Sequence, residues 1–273
     1  MKRFKYLSRD KTAAWVLQVL LFGTLVVLAP LTARAQAPAA QAPTPQAPAD
    51  NPAAPPPPPL HEATAEFAFV GTSGNSSTQS IGLSGQDIYR PDSWTLTTKA
   101  TYVRNETSSE LKAESFDFAF KGARNLNPRF SIFGRYEYLH DRFAGIEHRQ
   151  NIEGGAAYVL VDSAPHTLTV DASLGYAREL QLIGPMLSNP SAQTGAVYKL
   201  KVSETAELDE DAHFNWSLSD GNDWRAANIL SVTAKLMTRL SLKASNTVRF
   251  VNEPVPGFMK TDTITAIALV VKF

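Results

Sequence analysis

The chain has 273 residues, with 26 basic and 26 acidic side chains and no cysteine. Its length allows one large all-β domain or two small ones. The absence of cysteine excludes disulfides, thiolate metal sites and a cysteine nucleophile, and suits an exported protein. Six of the basic residues and one of the acidic residues fall in residues 1–35, so the remainder carries a net charge of −5. A mildly acidic chain gives no reason to expect nucleic acid as a partner.

Residues 1–35 have the pattern of a secretory signal peptide. A basic beginning is followed by an apolar run from Ala13 to Leu28 and then by Ala33-Arg34-Ala35. The small residues at this point predict cleavage after Ala35. The alternative is an uncleaved membrane anchor, because the apolar run is long for a signal peptide. No later stretch approaches the ~20 apolar residues that a transmembrane helix requires, so a mature chain that spans a membrane must do so as a barrel.

Residues 36–60 are rich in proline and alanine and have few large apolar side chains to bury. This composition predicts a disordered or semi-rigid spacer with extended polyproline segments. Such an arm can also bind a periplasmic or cell-wall partner.

From Ala63 onward, apolar and polar residues alternate between turn signals, which predicts about twelve strands. The last strand, Thr261 to Phe273, has one wholly uncharged face, while the other begins with Asp262 and ends with Lys272. This is the pattern of a lipid-facing row opposite a lumen-facing row. A half-buried strand of a soluble sandwich shows the same alternation. On the barrel interpretation, lipid contacts the side chains of Ile267, Leu269, Val271 and Phe273.

Two further features favour the barrel over the sandwich. Predicted connections after even strands are short, whereas several after odd strands are longer, notably Glu179 to Ser191 and Asn252 to Lys260. Short periplasmic turns and longer outer loops are typical of outer-membrane barrels. Aromatic residues also fall near the strand ends, as in the belts at two membrane interfaces. The predicted periplasmic belt contains Trp94, Phe120, Phe130, Tyr158, Tyr198 and Phe273, and the outer belt contains Tyr102, Tyr138, Tyr176, Trp216, Trp224 and Phe250. Residues 61–273 are therefore predicted to form an all-β, antiparallel transmembrane barrel of about 12 strands.

The first hairpin contains VGTSGNSS at residues 70–77, followed by IGLSG at residues 81–85, and the chain ends in Phe273. With these motifs and its repeated aromatic strand pairs, the chain from Phe67 to Phe273 resembles the YdiY-like, salt-induced outer-membrane protein family of unknown function. The resemblance implies a barrel in the outer membrane of a Gram-negative bacterium and supplies no catalytic motif. The final strand also resembles the terminal signal read by the barrel assembly machinery, which implies this machinery and outer-membrane lipid as partners. The proline-rich spacer is not part of the family pattern.

The charges predicted to face the lumen are the candidate pore lining. An acidic row on the ninth predicted strand lies between lysines of its two neighbours. These charges either neutralise one another across strands or form a polarised lining that selects solutes by charge. The candidate residues are Lys199, Lys201, Glu207, Asp209, Asp211, His213 and Lys235.

His213, Asn215 and Ser217 invite comparison with lipolytic barrels, but they share the predicted lumen face at a period of two and are more simply explained as polar lining. The other histidines lack metal-ligand spacing, and no phosphate-binding loop is present. We therefore expect no catalytic, cofactor or metal site. The sequence leaves three functional hypotheses: a narrow channel or porin of the salt-induced type for small solutes or ions, a structural or interaction barrel of the envelope, and a lipolytic enzyme.

Overall fold

The computed structural model describes residues 58–73, 78–107, 110–142 and 144–273. The predicted signal peptide and its cleavage site lie outside the described residues, as do nearly all of the proline-rich spacer and the tip of the first hairpin. Residues from Pro59 to Phe273 form one compact unit. No described residue belongs to a helix that is long and apolar enough to cross a membrane.

Twelve antiparallel strands close into one barrel, each paired with its neighbours in sequence. The predicted number of strands and the all-β class are confirmed. The strands are β1 (His61–Ser73), β2 (Thr78–Tyr89), β3 (Trp94–Thr107), β4 (Glu110–Asn125), β5 (Phe130–Asp141), β6 (Ile146–Ser163), β7 (His166–Gln181), β8 (Met186–Lys201), β9 (Ala206–Ser217), β10 (Trp224–Lys235), β11 (Leu240–Val251) and β12 (Thr261–Lys272).

The barrel closes through the antiparallel pairing of β1 with β12, in which Phe67 lies opposite Leu269. The backbone N–H of Phe273 extends this closure by donating to the carbonyl oxygen of Ala63 over 2.9 Å. Inside the barrel, Lys243 of β11 reaches past β12 and donates to both carboxylate oxygens of Glu66 on β1, at 3.0 and 3.3 Å. The closure is therefore held by backbone hydrogen bonds and by one ion pair across β12.

The two faces of the strands have opposite chemistry. Large apolar side chains are exposed on the outside: Ile267 is 56% exposed and Leu269 is 42% exposed, whereas the intervening Ala268 is only 4% exposed. Buried polar side chains, such as Glu153 and Gln193, lie on the inside instead. An apolar exterior around a polar interior is the arrangement of a transmembrane barrel, because hydrocarbon replaces water as the outer solvent. The faces predicted for the last strand are confirmed.

Replacing Leu269 by aspartate should impair membrane assembly, because the substitution places a carboxylate on the lipid-facing surface. Ala268→Ser should be tolerated, because the added hydroxyl faces the polar lumen. Heat-modifiable electrophoretic mobility of the barrel after insertion into lipid measures both outcomes. Equal amounts of the folded band for the two variants would contradict the face assignment.

The connections divide between two ends of the barrel. One end, here called the turn end, carries the connections after even strands, which have four residues or fewer. The other end, the loop end, carries the longest connection, residues 252–260 between β11 and β12, as predicted. The long loop predicted from Glu179 to Ser191 is wrong: β7 continues to Gln181 and β8 begins at Met186, so only residues 182–185 connect them. Backbone pairing of these two strands continues through the polar residues there. The difference in loop length between the two ends of the barrel therefore depends on residues 218–223 and 252–260.

Candidate pore lining

One side of the lumen, lined by β4 to β7, is filled by side chains. The guanidinium of Arg135 pairs with the carboxylates of Glu137, at 3.2 Å, and Glu153. Glu153 is 4% exposed and also accepts hydrogen bonds from Asn151 and from the hydroxyl of Ser173, the latter over 2.8 Å. Because each oxygen of this buried carboxylate has donors, the arrangement compensates for its loss of hydration. Arg135, Glu137, Asn151, Glu153 and Ser173 are called the central ionic cluster below.

An aromatic ring packs beside this cluster. Phe133 points into the lumen, is 6% exposed and packs with Ala123 and Ala157. The ammonium of Lys121 lies 4.1 Å from the centre of the Phe133 ring, so the ring offers a cation–π contact to a lumenal charge. This side of the lumen is therefore a packed wall and not a water-filled passage.

Glycines on the lumen face make room for this wall. A Cβ atom added to Gly155 would meet the carbonyl oxygen of Ala172 and would lie 2.7 Å from the Ser173 Cβ and 2.9 Å from the Phe133 ring. One added to Gly175 would meet the carbonyl oxygen of Ile152 and lie 2.7 Å from the Glu153 Cγ. The close approach of atoms from neighbouring strands therefore requires glycine at these positions.

Two cavities lie in the lumen beside this wall. The first, the seam cavity, has a volume of about 290 Å³ and lies beside the β1–β12 closure. The second, the mouth cavity, has a volume of about 230 Å³ and lies towards the loop end. The cavities share a set of lining residues, all of them charged, which we call the waist: Asp117, Asp141, Arg249 and Asp262.

Ion pairs cross the lumen at and above the waist. Arg249 of β11 contacts Asp141 of β5 over 3.0 Å, although these strands lie on opposite sides of the twelve-stranded ring. Arg225 of β10 contacts Glu179 of β7 over 2.8 Å, and Arg149 of β6 lies 3.7 Å from the same carboxylate. These side chains narrow the passage between the loop end and the seam cavity.

The loop of residues 252–260 covers the mouth cavity. Val255 in this loop is 4% exposed, as is Ile146 at the start of β6, across the ring. The ring of Phe258 lies so close to Gly145 that a Cβ atom added there would be 2.6 Å from it. With a φ of 75°, Gly145 also has a backbone conformation that favours glycine. The loop therefore reaches from the β11–β12 side to the β5–β6 side and forms a cap over the loop end.

Deleting residues 253–259 and joining the ends with two glycines should open the loop end of the lumen. A cysteine introduced at Asp117 should then react faster with a membrane-impermeant thiol reagent, because the apolar contacts of Val255 and Phe258 no longer cover the path. The natural chain has no cysteine, so labelling reports this one position. Shortening the loop of residues 218–223 to the same degree is the control and should leave the rate unchanged. Equal labelling rates with and without residues 253–259 would contradict the covering role of the cap.

The candidate pore-lining residues identified from the sequence lie mostly at the turn end. Strand pairing places Lys199 opposite Asp209 and Lys201 opposite Glu207, and the Lys199 ammonium is 3.7 Å from the Asp209 carboxylate. Asp211 contacts His213 over 2.6 Å. Of the seven candidates, His213 lines the mouth cavity, while Lys199, Lys201, Glu207, Asp209, Asp211 and Lys235 line neither cavity. The waist and the central ionic cluster were not among the candidates.

Ser217 lies at the loop end of β9, where its hydroxyl accepts hydrogen bonds from the backbone N–H groups of Ser219 and Asp220, at 3.3 and 3.2 Å. It is four positions from His213 on an extended strand, about 13 Å along the chain. These two side chains therefore do not form a nucleophile–base pair. Among the described residues, no group of three or more histidine, aspartate or glutamate side chains is arranged to hold a metal ion.

Solved barrel structures are similar to this one at low sequence identity. The NanC porin, solved in a rhombohedral crystal form, has a TM-score of 0.55 and 8% identity, and the match covers 77% of this chain and all of that one. The translocator domain of the autotransporter NalP from Neisseria meningitidis has a TM-score of 0.48 and 11% identity, with 80% and 90% of the two chains covered. A search of curated proteins by sequence finds no significant match.

A family model describes the chain more directly. The model for the protein family of unknown function DUF481 matches residues 65–273, which include nearly the whole barrel. This match confirms the resemblance found in the sequence, and the barrel agrees with the structural likeness to the NanC porin. The chain therefore belongs to the DUF481 family and has the fold of an outer-membrane β-barrel.

Proposed function

We propose that the protein is a narrow channel for small polar or charged solutes across the outer membrane. The observation that carries this proposal is the pair of cavities that share the charged waist. Together they extend from the β1–β12 closure towards the loop end, beside the central ionic cluster. A fold by itself does not imply transport, so it is this lining, and not the likeness to porins, that supports a channel.

The charges of the waist determine whether the proposed channel prefers cations or anions. Three carboxylates, those of Asp117, Asp141 and Asp262, face one guanidinium, that of Arg249. Rings of carboxylates favour cations in narrow pores, because the fixed negative charge lowers the free energy of a cation passing close to it. The proposed channel therefore prefers cations. Its loop end faces outward and its turn end faces the periplasm, in keeping with the positions of short turns in such barrels.

Asp117→Asn should reduce the preference for cations, because it removes one negative charge from the waist. Reversal potentials under a salt gradient in planar lipid bilayers measure the change. Asp92→Asn is the matched control: it removes the same charge from a turn outside both cavities and should leave selectivity unchanged. Correctly folded protein that shows no conductance, with or without the cap, would overturn the proposal.

The carboxy terminus supports a proposal about assembly. Phe273 is 73% exposed, and its backbone is fixed to β1 at the closure. We propose that the barrel assembly machinery binds this aromatic side chain while the closure is still open. The proline-rich arm remains a second proposed contact, with a periplasmic or cell-wall partner.

A further inference from the structure

Almost every charged side chain that lines the two cavities is engaged by a neighbour. Glu66 pairs with Lys243, Asp141 with Arg249, and Glu137 with Arg135. Arg149 and Arg225 share Glu179, and His213 contacts Asp211. Asp262, which lies opposite Arg249 in the strand register, is engaged as well.

Two cavity-lining charges are exceptions among the residues that the structure describes: Lys99 of β3, which is attracted to Asp211 but does not contact it, and Asp117 of β4 form no direct ion pair. They have opposite signs and both line the seam cavity. In the register of β3 and β4, Lys99 lies opposite Ala119 and Asp117 lies opposite Thr101. The two are thus diagonal neighbours on one face, with Cα atoms about 7–8 Å apart, yet they do not pair with each other.

This arrangement matches a ligand that carries both charges on one small framework. A simple cation satisfies Asp117 and leaves Lys99 unpaired, and a simple anion does the reverse. Near Lys99 and Asp117, the lining of the seam cavity supplies additional hydrogen-bonding groups from Gln86, Thr101 and Ser115. A volume of about 290 Å³ lies just below the range typical of sites for drug-sized ligands, so the ligand is small.

We propose that the seam cavity binds small zwitterions of the free amino acid class. The ligand carboxylate contacts the Lys99 ammonium, and the ligand ammonium contacts the Asp117 carboxylate. As a statement about transport, this proposal rests on the proposed channel, because it names the class of solute that the channel carries. Binding itself requires only the cavity.

The test uses L-alanine as probe, with propionate and ethylammonium as analogues that each retain one of its two charges. Titration calorimetry of the full-length barrel in detergent micelles should detect L-alanine and show at least about tenfold weaker binding of either analogue, the factor expected for one hydrogen bond to a charged group. Lys99→Met and Asp117→Asn should each weaken L-alanine binding by a similar factor. Lys235→Met removes a lumenal lysine outside both cavities and should leave binding unchanged.

A double exchange, Lys99→Asp with Asp117→Lys, separates recognition of two charges from an effect of net charge. The reversed pair should bind L-alanine within about threefold of the natural protein, because the ligand can turn around and meet both charges again. Heat-modifiable mobility verifies that each variant is folded. Equal affinities for L-alanine and the two analogues, or unchanged affinity in both folded single variants, would overturn the inference. Binding of L-alanine by protein that does not conduct ions would instead overturn the proposed channel and leave the site standing.

Discussion

Gly155→Ala is expected to lower both the folded fraction of the barrel and its urea midpoint, whereas Gly154→Ala is expected to leave both unchanged. A Cβ atom at position 155 collides with the backbone of β7, and the Ser173 Cβ and the Phe133 ring lie 2.7 and 2.9 Å away. Backbone cannot yield as the end of a flexible side chain can. Overpacking of this kind costs about 1–3 kcal/mol and occasionally more, and here it affects the filled wall of the lumen.

Gly154 is the matched control because it is the neighbouring residue on the opposite face. The nearest atom to a Cβ added there is the carbonyl oxygen of Phe133 at 3.9 Å, an ordinary contact distance. The measurement is the fraction of heat-modifiable folded protein after refolding into lipid vesicles, with urea midpoints for any variant that folds. Equal midpoints for the two alanine variants would show that the wall is not packed as described.

Arg135→Met is expected to produce the second large effect, a loss of about 3–5 kcal/mol of folding free energy. Removing the guanidinium leaves Glu153, which is 4% exposed, as a buried carboxylate without its cation. Lys199→Met is the comparison, because its pair with Asp209 is long and its side chain is 56% exposed. An exposed pair of this kind contributes about 0–1 kcal/mol. Urea unfolding of both variants in lipid measures the difference, and similar losses would contradict the distinction between a buried cluster and an exposed one.

The barrel was predictable because its main determinant is local. A transmembrane strand must present apolar side chains to lipid at every second position, so the alternation around Ile267 and Leu269 directly identifies the faces. The extension of β7 and β8 beyond Glu179 was not predictable in this way. Gly184-Pro185, Asn189-Pro190 and the serines nearby have the composition of a loop, yet backbone pairing with adjacent strands continues through most of them.

The lining was harder to predict because its contacts join strands that are distant in sequence. Pairing of adjacent strands correctly suggested that Lys199 lies beside Asp209. No local pattern relates Arg249 to Asp141, which are 108 residues apart and meet only because the sheet closes on itself. A signal for the filled wall was nevertheless present: Phe133 interrupts the polar face of the fifth strand, and Gly155 and Gly175 occupy lumen-facing positions that have no side chain of their own.

The ion pair of Lys243 with Glu66 has a consequence for how the closed ring opens. It passes over Ala268, the residue opposite both Lys243 and Ala68 in the strand register, so it links β11 to β1 without a contribution from β12. Local opening of a fold begins where tertiary contacts are few. Without this link, β12 would separate from β1 more often, and its amide hydrogens would exchange with solvent earlier than those of β6 and β7, which lie behind the central ionic cluster. The Lys243–Glu66 ion pair therefore raises amide protection at the junction of the two terminal strands, and its removal makes this junction the first part of the ring to exchange.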